Sequence, residues 1–180
     1  STAFDVSTSS FVDAFSTSSQ DGRATGIAFN NDGTKMFLTG YDGDDVNEYT
    51  LSTGFDVSTA SFVDSFSVSS QEDNPSDLAF NSDGTKMFVV GITGDDINEY
   101  TLSTGFDVST ASYDSNFSVA SQDTEPTGLT FSTDGKKMFV IGNTGNDVNE
   151  YTLSTGFDVS TASFVGTFDV SGQEGNPRAI

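Results

Sequence analysis

The chain has 180 residues, 34% of them hydrophobic and 17 of them Phe, which is enough apolar mass for a packed core and argues against wholesale disorder. Six basic against 27 acidic residues leave a formal net charge of −21, which repels phosphate backbones and anionic headgroups and disfavours nucleic acid or a membrane as partner. There is no Cys and no His, so disulfides, thiolate chemistry, imidazole acid–base catalysis and the Ser–His–Asp triad are all excluded.

Taken in chain order, the sequence repeats. Phe-Asp-Val-Ser-Thr begins at Phe4, Phe55, Phe106 and Phe157, a strict 51-residue interval with no insertion or deletion. A loop and an unaccompanied strand, Phe11–Ser18, come first. A strand over Thr25–Asn30 follows, with copies at Ser76–Asn81 and Thr127–Ser132. A turn built on Asp32-Gly33, Asp83-Gly84 or Asp134-Gly135 leads into the second strand, because Gly accepts positive φ and Asp bonds nearby amides. That second strand runs over Lys35–Tyr41, Lys86–Ile92 and Lys137–Asn143. Its middle copy is apolar on both faces, Met87 and Val89 on one and Phe88 and Val90 on the other, so it needs a sheet on each side. Val46–Ser52 and its copies make a third strand, and the copies of Phe11–Ser18 make the fourth.

Four antiparallel strands in about fifty residues, stacked face to face by repetition, describe a β-propeller blade. Helical solenoids are excluded because no copy keeps an apolar face at helical spacing. A parallel β-helix needs a shorter period, and a sandwich is the remaining competitor. The expected fold class is therefore all-β, with three complete four-stranded antiparallel blades at approximately 24–69, 75–120 and 126–171. The strand 11–18 precedes them, and a further blade starts at 177–180. No apolar stretch approaches the length of a membrane-spanning helix. With neither Met nor a leader at Ser1, the sequence reads as a fragment or a processed product.

The runs Ser82–Val89 and Thr133–Val140, of the form Ser/Thr-Asp-Gly-x-Lys-Met-Phe-Val, resemble the hairpin of YVTN-type surface repeats and of lactonase-like propellers. The resemblance covers the first two strands of each blade, about a third of the chain. The third strand, Asn-Glu-Tyr-Thr-Leu, departs from the usual YVTN pattern. Families of this kind range from enzymes to surface scaffolds, so the resemblance implies a fold and leaves activity open.

Three blades are fewer than the four to eight that close a ring. Either the natural chain is longer or two chains combine; a homo-oligomer is the favoured expectation, with a dimer giving a six-bladed ring in which the Phe11 strand of one subunit replaces the Phe164 strand of the other. Alternation of strand direction sorts the loops onto two faces. One face collects Asp42, Asp44, Asp45, Asp95, Asp96 and Asp147, together with Glu72, Asp73, Asp123, Glu125 and Glu174. These are candidate calcium ligands, since hard cations take several oxygens, although Thr93, Thr144 and Asn146 interrupt the pattern in the later copies. The same acids also read as turn residues. Gln20, Gln71, Gln122 and Gln173 hold one place in every copy, either as hydrogen-bond partners of the neighbouring blade or as one ligand pocket per blade. Asp56 and its copies read as caps of a local turn. A catalytic group must differ from its copies, and Asp77 is the main acid that does, standing where Gly26, Gly128 and Ala179 occur. Arg23 and Arg178 deviate near the same face.

The functional expectation is a non-catalytic binding, surface-display or adhesion-type module, taking a glycan or protein through repeated sites on a rigid ring. Acidity, small polar residues and freedom from Cys place it outside the cell, on a cell surface or on a virion. Two alternatives stand beside it: a metal-dependent lactonase-like or glycosidase enzyme, and a structural spacer in a longer adhesin or fibre.

Overall fold

The computed structural model describes residues 6–180. It contains twelve strands in three four-stranded antiparallel sheets, each sheet ordered as its strands occur in sequence. The first blade is β1 (Ala24–Phe29), β2 (Lys35–Gly40), β3 (Asp45–Leu51) and β4 (Ala60–Ser67). The second is β5 (Pro75–Phe80), β6 (Lys86–Gly91), β7 (Asp96–Leu102) and β8 (Ala111–Ser118). The third is β9 (Pro126–Phe131), β10 (Lys137–Gly142), β11 (Asp147–Leu153) and β12 (Ala162–Asp169). These are propeller blades, as the period requires. No described helix is long and apolar enough to cross a membrane.

Strand positions differ from expectation by one or two residues, and one element was missed. A single 3-10 turn, Val57–Thr59, Val108–Thr110 or Val159–Thr161, precedes each fourth strand. The Asp56 and Asp107 carboxylates accept from the backbone N–H of Ser58 and Ser109, which caps that turn. Asp158 instead accepts from the Ser160 hydroxyl at 2.6 Å. Just before the cap, Phe55, Phe106 and Phe157 adopt φ of 61°, 58° and 58°. That left-handed turn lays each phenyl ring over the Gly of the Asp-Gly turn, so close that a Cβ on Gly84 would lie 2.2 Å from the Phe106 ring.

Blades pack through the faces that alternation predicts. Met87 and Val89 join Phe37, Val46 and Tyr100 in the core between the first and second blades. Phe88 and Val90 join Met138, Val140 and Tyr151 between the second and third. Each Tyr of the Asn-Glu-Tyr-Thr-Leu strand is fully buried. Its ring meets, edge-on, an aromatic ring of its own fourth strand and a Phe of the segment before its blade, as Tyr100 meets Tyr113 and Phe66.

The expected strand over Phe11–Ser18 does not form, since no described residue supplies the third strand it would pair with. Phe15 nevertheless meets Tyr49 edge-on with centroids 5.5 Å apart. Phe66 on Tyr100 and Phe117 on Tyr151 have the same geometry. Side-chain packing places this segment even where backbone pairing is absent.

Candidate functional site at the inner strands

The acidic face has an internal order that spacing alone did not disclose. Asp21, Glu72 and Asp123, in the loops entering the three blades, are almost wholly buried. Glu72 accepts from the backbone N–H groups of Asn74, Thr93 and Gly94 at 2.8, 3.0 and 3.0 Å. Asp21 and Asp123 do the same in their own blades. Each therefore ties its entry loop to the turn between the second and third strands, and the net stabilisation comes from charge-assisted bonds to otherwise unpaired amides.

The six candidate calcium ligands fall into three separate turns: Asp42, Asp44 and Asp45 in the first blade, Asp95 and Asp96 in the second, and Asp147 in the third. Asp45, Asp96 and Asp147 accept from the side-chain amides of Asn47, Asn98 and Asn149 at 2.6, 2.6 and 2.7 Å. Asp44 and Asp95 take φ of 48° and 49° in the turn itself. Among the described residues no three acidic, Cys or His side chains come close enough to hold a metal ion. Burial first, and then the neighbouring Asp73, Asp21, Glu72 and Asp42 charges, push the Asp44 carboxyl above its ordinary value. Asp95 is raised in the same way, by burial and by Glu72, Asp123 and Glu125.

Gln20, Gln71 and Gln122 each accept from the buried hydroxyl of Tyr49, Tyr100 and Tyr151, at 3.4, 3.5 and 3.3 Å. Each thereby ties the loop entering its blade to the buried Tyr of that blade's third strand. Gln173 is exposed.

At the inner strands the repeat both organises and breaks. Thr25, Ser76 and Thr127 occupy one register, and each hydroxyl donates to the first-strand carbonyl of the next blade. The acceptors are Pro75, Pro126 and Pro177, at 2.8, 2.7 and 2.8 Å. These three residues line an open cleft of about 220 Å³ together with Ala24, Tyr41 and Arg178. Arg178 occupies the fourth copy of that hydroxyl register. Arg23 stacks over the Tyr41 ring, its guanidinium carbon 5.0 Å from the centroid. In a molecule with 27 acidic residues, one arginine thus lines this cleft and the other stacks on a tyrosine that lines it.

A second cleft of about 350 Å³ adjoins the first at Thr25 and is lined by residues of β1, β5 and β9, Asp77 among them. One Asp77 oxygen accepts from the N–H of Leu78 and the other from Leu129 of the next blade, both at 2.9 Å. Burial outweighs these two bonds and raises its pKa to about 6. Asp77 therefore clamps two inner strands, and both of its oxygens are engaged in doing so. The deviations at Asp77, Arg23 and Arg178 were legible in the sequence. The part played by Tyr41 and the hydroxyl register was not, because a Thr or Ser at a strand start looks like any other.

No protein-family model matches the chain, and no curated protein is similar to it. Solved structures are. A functionally unknown protein from Desulfotomaculum acetoxidans matches with a TM-score of 0.61 and 16% identity, over 89% of this chain and 46% of its own. A β-propeller domain from Myceliophteria thermophila matches with a TM-score of 0.56 and 12% identity, over 87% and 45%. A periplasmic gluconolactonase from Pseudomonas aeruginosa matches with a TM-score of 0.55 and 17% identity, over 84% and 42%. At this identity the likeness concerns the fold, and the chain spans less than half the length of each of these proteins.

Proposed function

We propose that the chain is a non-catalytic binding module whose ligand sits in the cleft at the inner strands, and that the ligand is a small glycan or sugar acid carrying a carboxylate. The observation that carries this reading is the convergence of Arg178, Tyr41 with Arg23 stacked on it, and the Thr25–Ser76–Thr127 register on one cleft. A guanidinium fork matches a carboxylate. The tyrosine ring offers an apolar face to a sugar ring, and the hydroxyl oxygens accept from sugar hydroxyls. The cleft, about 220 Å³, lies below the span typical of drug-sized ligands and suits a single sugar unit. A periplasmic or surface setting accompanies the proposal, in keeping with the acidic, Cys-free composition and with one periplasmic structural relative.

Calorimetric titration with glucuronate and with glucose tests the reading. Glucuronate is expected to bind, and Arg178→Ala to weaken it by at least about tenfold, the loss of one charge-assisted contact. Equal binding by the variant, or equal binding of glucose, would remove the proposed role of the arginine.

A second reading, lactone hydrolysis, is favoured by the gluconolactonase relative and by an Asp with a raised pKa beside the cleft. Against it, both Asp77 oxygens are held by backbone amides. Gluconolactone is expected to open at its spontaneous rate in the presence of the protein. An acceleration abolished by Asp77→Asn would replace binding with catalysis.

A further inference from the structure

Each inner strand carries a bulge at the cleft. Thr25, Ser76 and Thr127 are skipped in the pairing of β1 with β2, β5 with β6 and β9 with β10. A bulge re-aims a side chain, and these are the three hydroxyl residues that line the cleft. Asp77 is the residue that follows the bulge in β5. On one side, β1 approaches so closely that a Cβ on Gly26 would lie 2.7 Å from the Asp77 Cα. Through its carboxyl Asp77 joins β5 to β9, since one oxygen accepts from the Leu129 N–H at 2.9 Å. The other oxygen takes the Leu78 N–H, also at 2.9 Å. Asp77 lines the second cleft, which adjoins the first at Thr25, while Ser76 beside it lines the first.

The surroundings of Asp77 do little to favour its ionised form. The strands beside it, β1 and β9, contain no charged residue, and its partner in the ladder on β6 is Val90. Lys35 of β2 and Lys86 of β6 are engaged by Glu48 and Glu99. In the segment after the third blade, Arg178 lines the first cleft and Ala179 the second. Burial raises the Asp77 carboxyl to about 6 against the two backbone bonds, and no charged side chain contributes.

We infer that the clamp at Asp77 makes the inner-strand cleft proton-sensitive: a carboxylate ligand is held more tightly when Asp77 is neutral, and its binding draws a proton onto Asp77. The inference rests on the binding reading above. An ionised Asp77 sets a like charge beside the ligand's carboxylate, and it relies on water that a ligand filling the adjoining cleft displaces. Protonation removes both penalties. By reciprocity the bound carboxylate raises the affinity of Asp77 for its proton by the same factor. The proton comes from solvent, and no bond of the ligand is made or broken. Well below the carboxyl's folded value the site is already neutral and the ligand meets no repulsion. As pH rises through that value, binding weakens toward a lower plateau.

Calorimetric titration of the native chain with glucuronate, at about pH 5 and about pH 8, tests the coupling, because the sugar acid stays ionised across that window. The dissociation constant is expected to rise by about fivefold or more from the lower to the higher pH. At about pH 6.5, two buffers of different ionisation enthalpy should reveal net proton uptake on binding. Asp77→Asn, a neutral replacement of the same shape, should bind equally at both pH values, with the affinity of the native chain at about pH 5. The native titration decides the matter even if that variant does not fold. Glucuronate bound equally at both pH values, with no proton taken up, would overturn the coupling and leave the binding site standing. A pH dependence that survives in Asp77→Asn would assign it to another group and overturn the coupling too. No binding at either pH would overturn the proposed function, and the coupling with it.

Discussion

Asp77 shows how one departure from the repeat changes the physics of its surroundings. The copies have Gly26, Gly128 and Ala179 at this place, and a carboxylate here bridges two inner strands through Leu78 and Leu129. Burial holds its pKa near 6 in the folded chain against an ordinary 3.8. The folded state therefore keeps a proton that the unfolded chain gives up between those values. The resulting stabilisation is fully present below the unfolded value and is lost as pH rises through 6, about 3 kcal/mol over the whole window. Urea midpoints at about pH 4 and about pH 8 are expected to show this loss in the native chain and much less of it in Asp77→Asn. An identical pH dependence in both would show that Asp77 titrates normally. Gly84 is the other position where one residue decides. At φ of 72°, and with the Phe106 ring where a Cβ would go, Gly84→Ala should cost more than about 1 kcal/mol in a denaturant titration.

Lys and Glu on neighbouring strands of one blade are worth different amounts according to whether another blade covers them. Glu99 is buried, and among the described residues Lys86 is its one cationic partner; removing that partner leaves a carboxylate held by the backbone N–H of Val159. Lys86→Ala should therefore destabilise the chain by about 2–3 kcal/mol, somewhat below the cost of breaking a fully buried pair because Lys86 is itself partly exposed. Lys137→Ala, at the same place in the third blade, should cost under about 1 kcal/mol, as exposed pairs do. Equal costs, read from urea unfolding, would contradict the dependence on burial.

Across the whole molecule, the net charge of −21 opposes compaction, and its acidic loops share one face. Screening should therefore stabilise the fold, with the melting temperature rising by several degrees as NaCl increases to about 1 M, where the Debye length falls to roughly 3 Å. The six acids once grouped as calcium ligands sit in three separate turns, and three of them are engaged by Asn side chains. At matched ionic strength, millimolar calcium is expected to add no further increase over NaCl. An extra rise specific to calcium, reversed by chelator, would restore a metal site to the acidic face.

The 51-residue interval, the Asp-Gly turns and the two-faced apolar pattern of Met87 to Val90 determined the blade and its packing directions. They could do so because strand alternation and turn chemistry are local properties, written in consecutive residues. Only tertiary structure decided which acids are buried staples, since Asp21 and Glu72 look no different in sequence from Asp42 and Asp73. Their partners are amides about twenty residues away, brought near by the sheet. The same holds for the cleft. Arg178 stood out as an irregular copy, but Tyr41 and the hydroxyls of Thr25, Ser76 and Thr127 became its neighbours only when three inner strands converged.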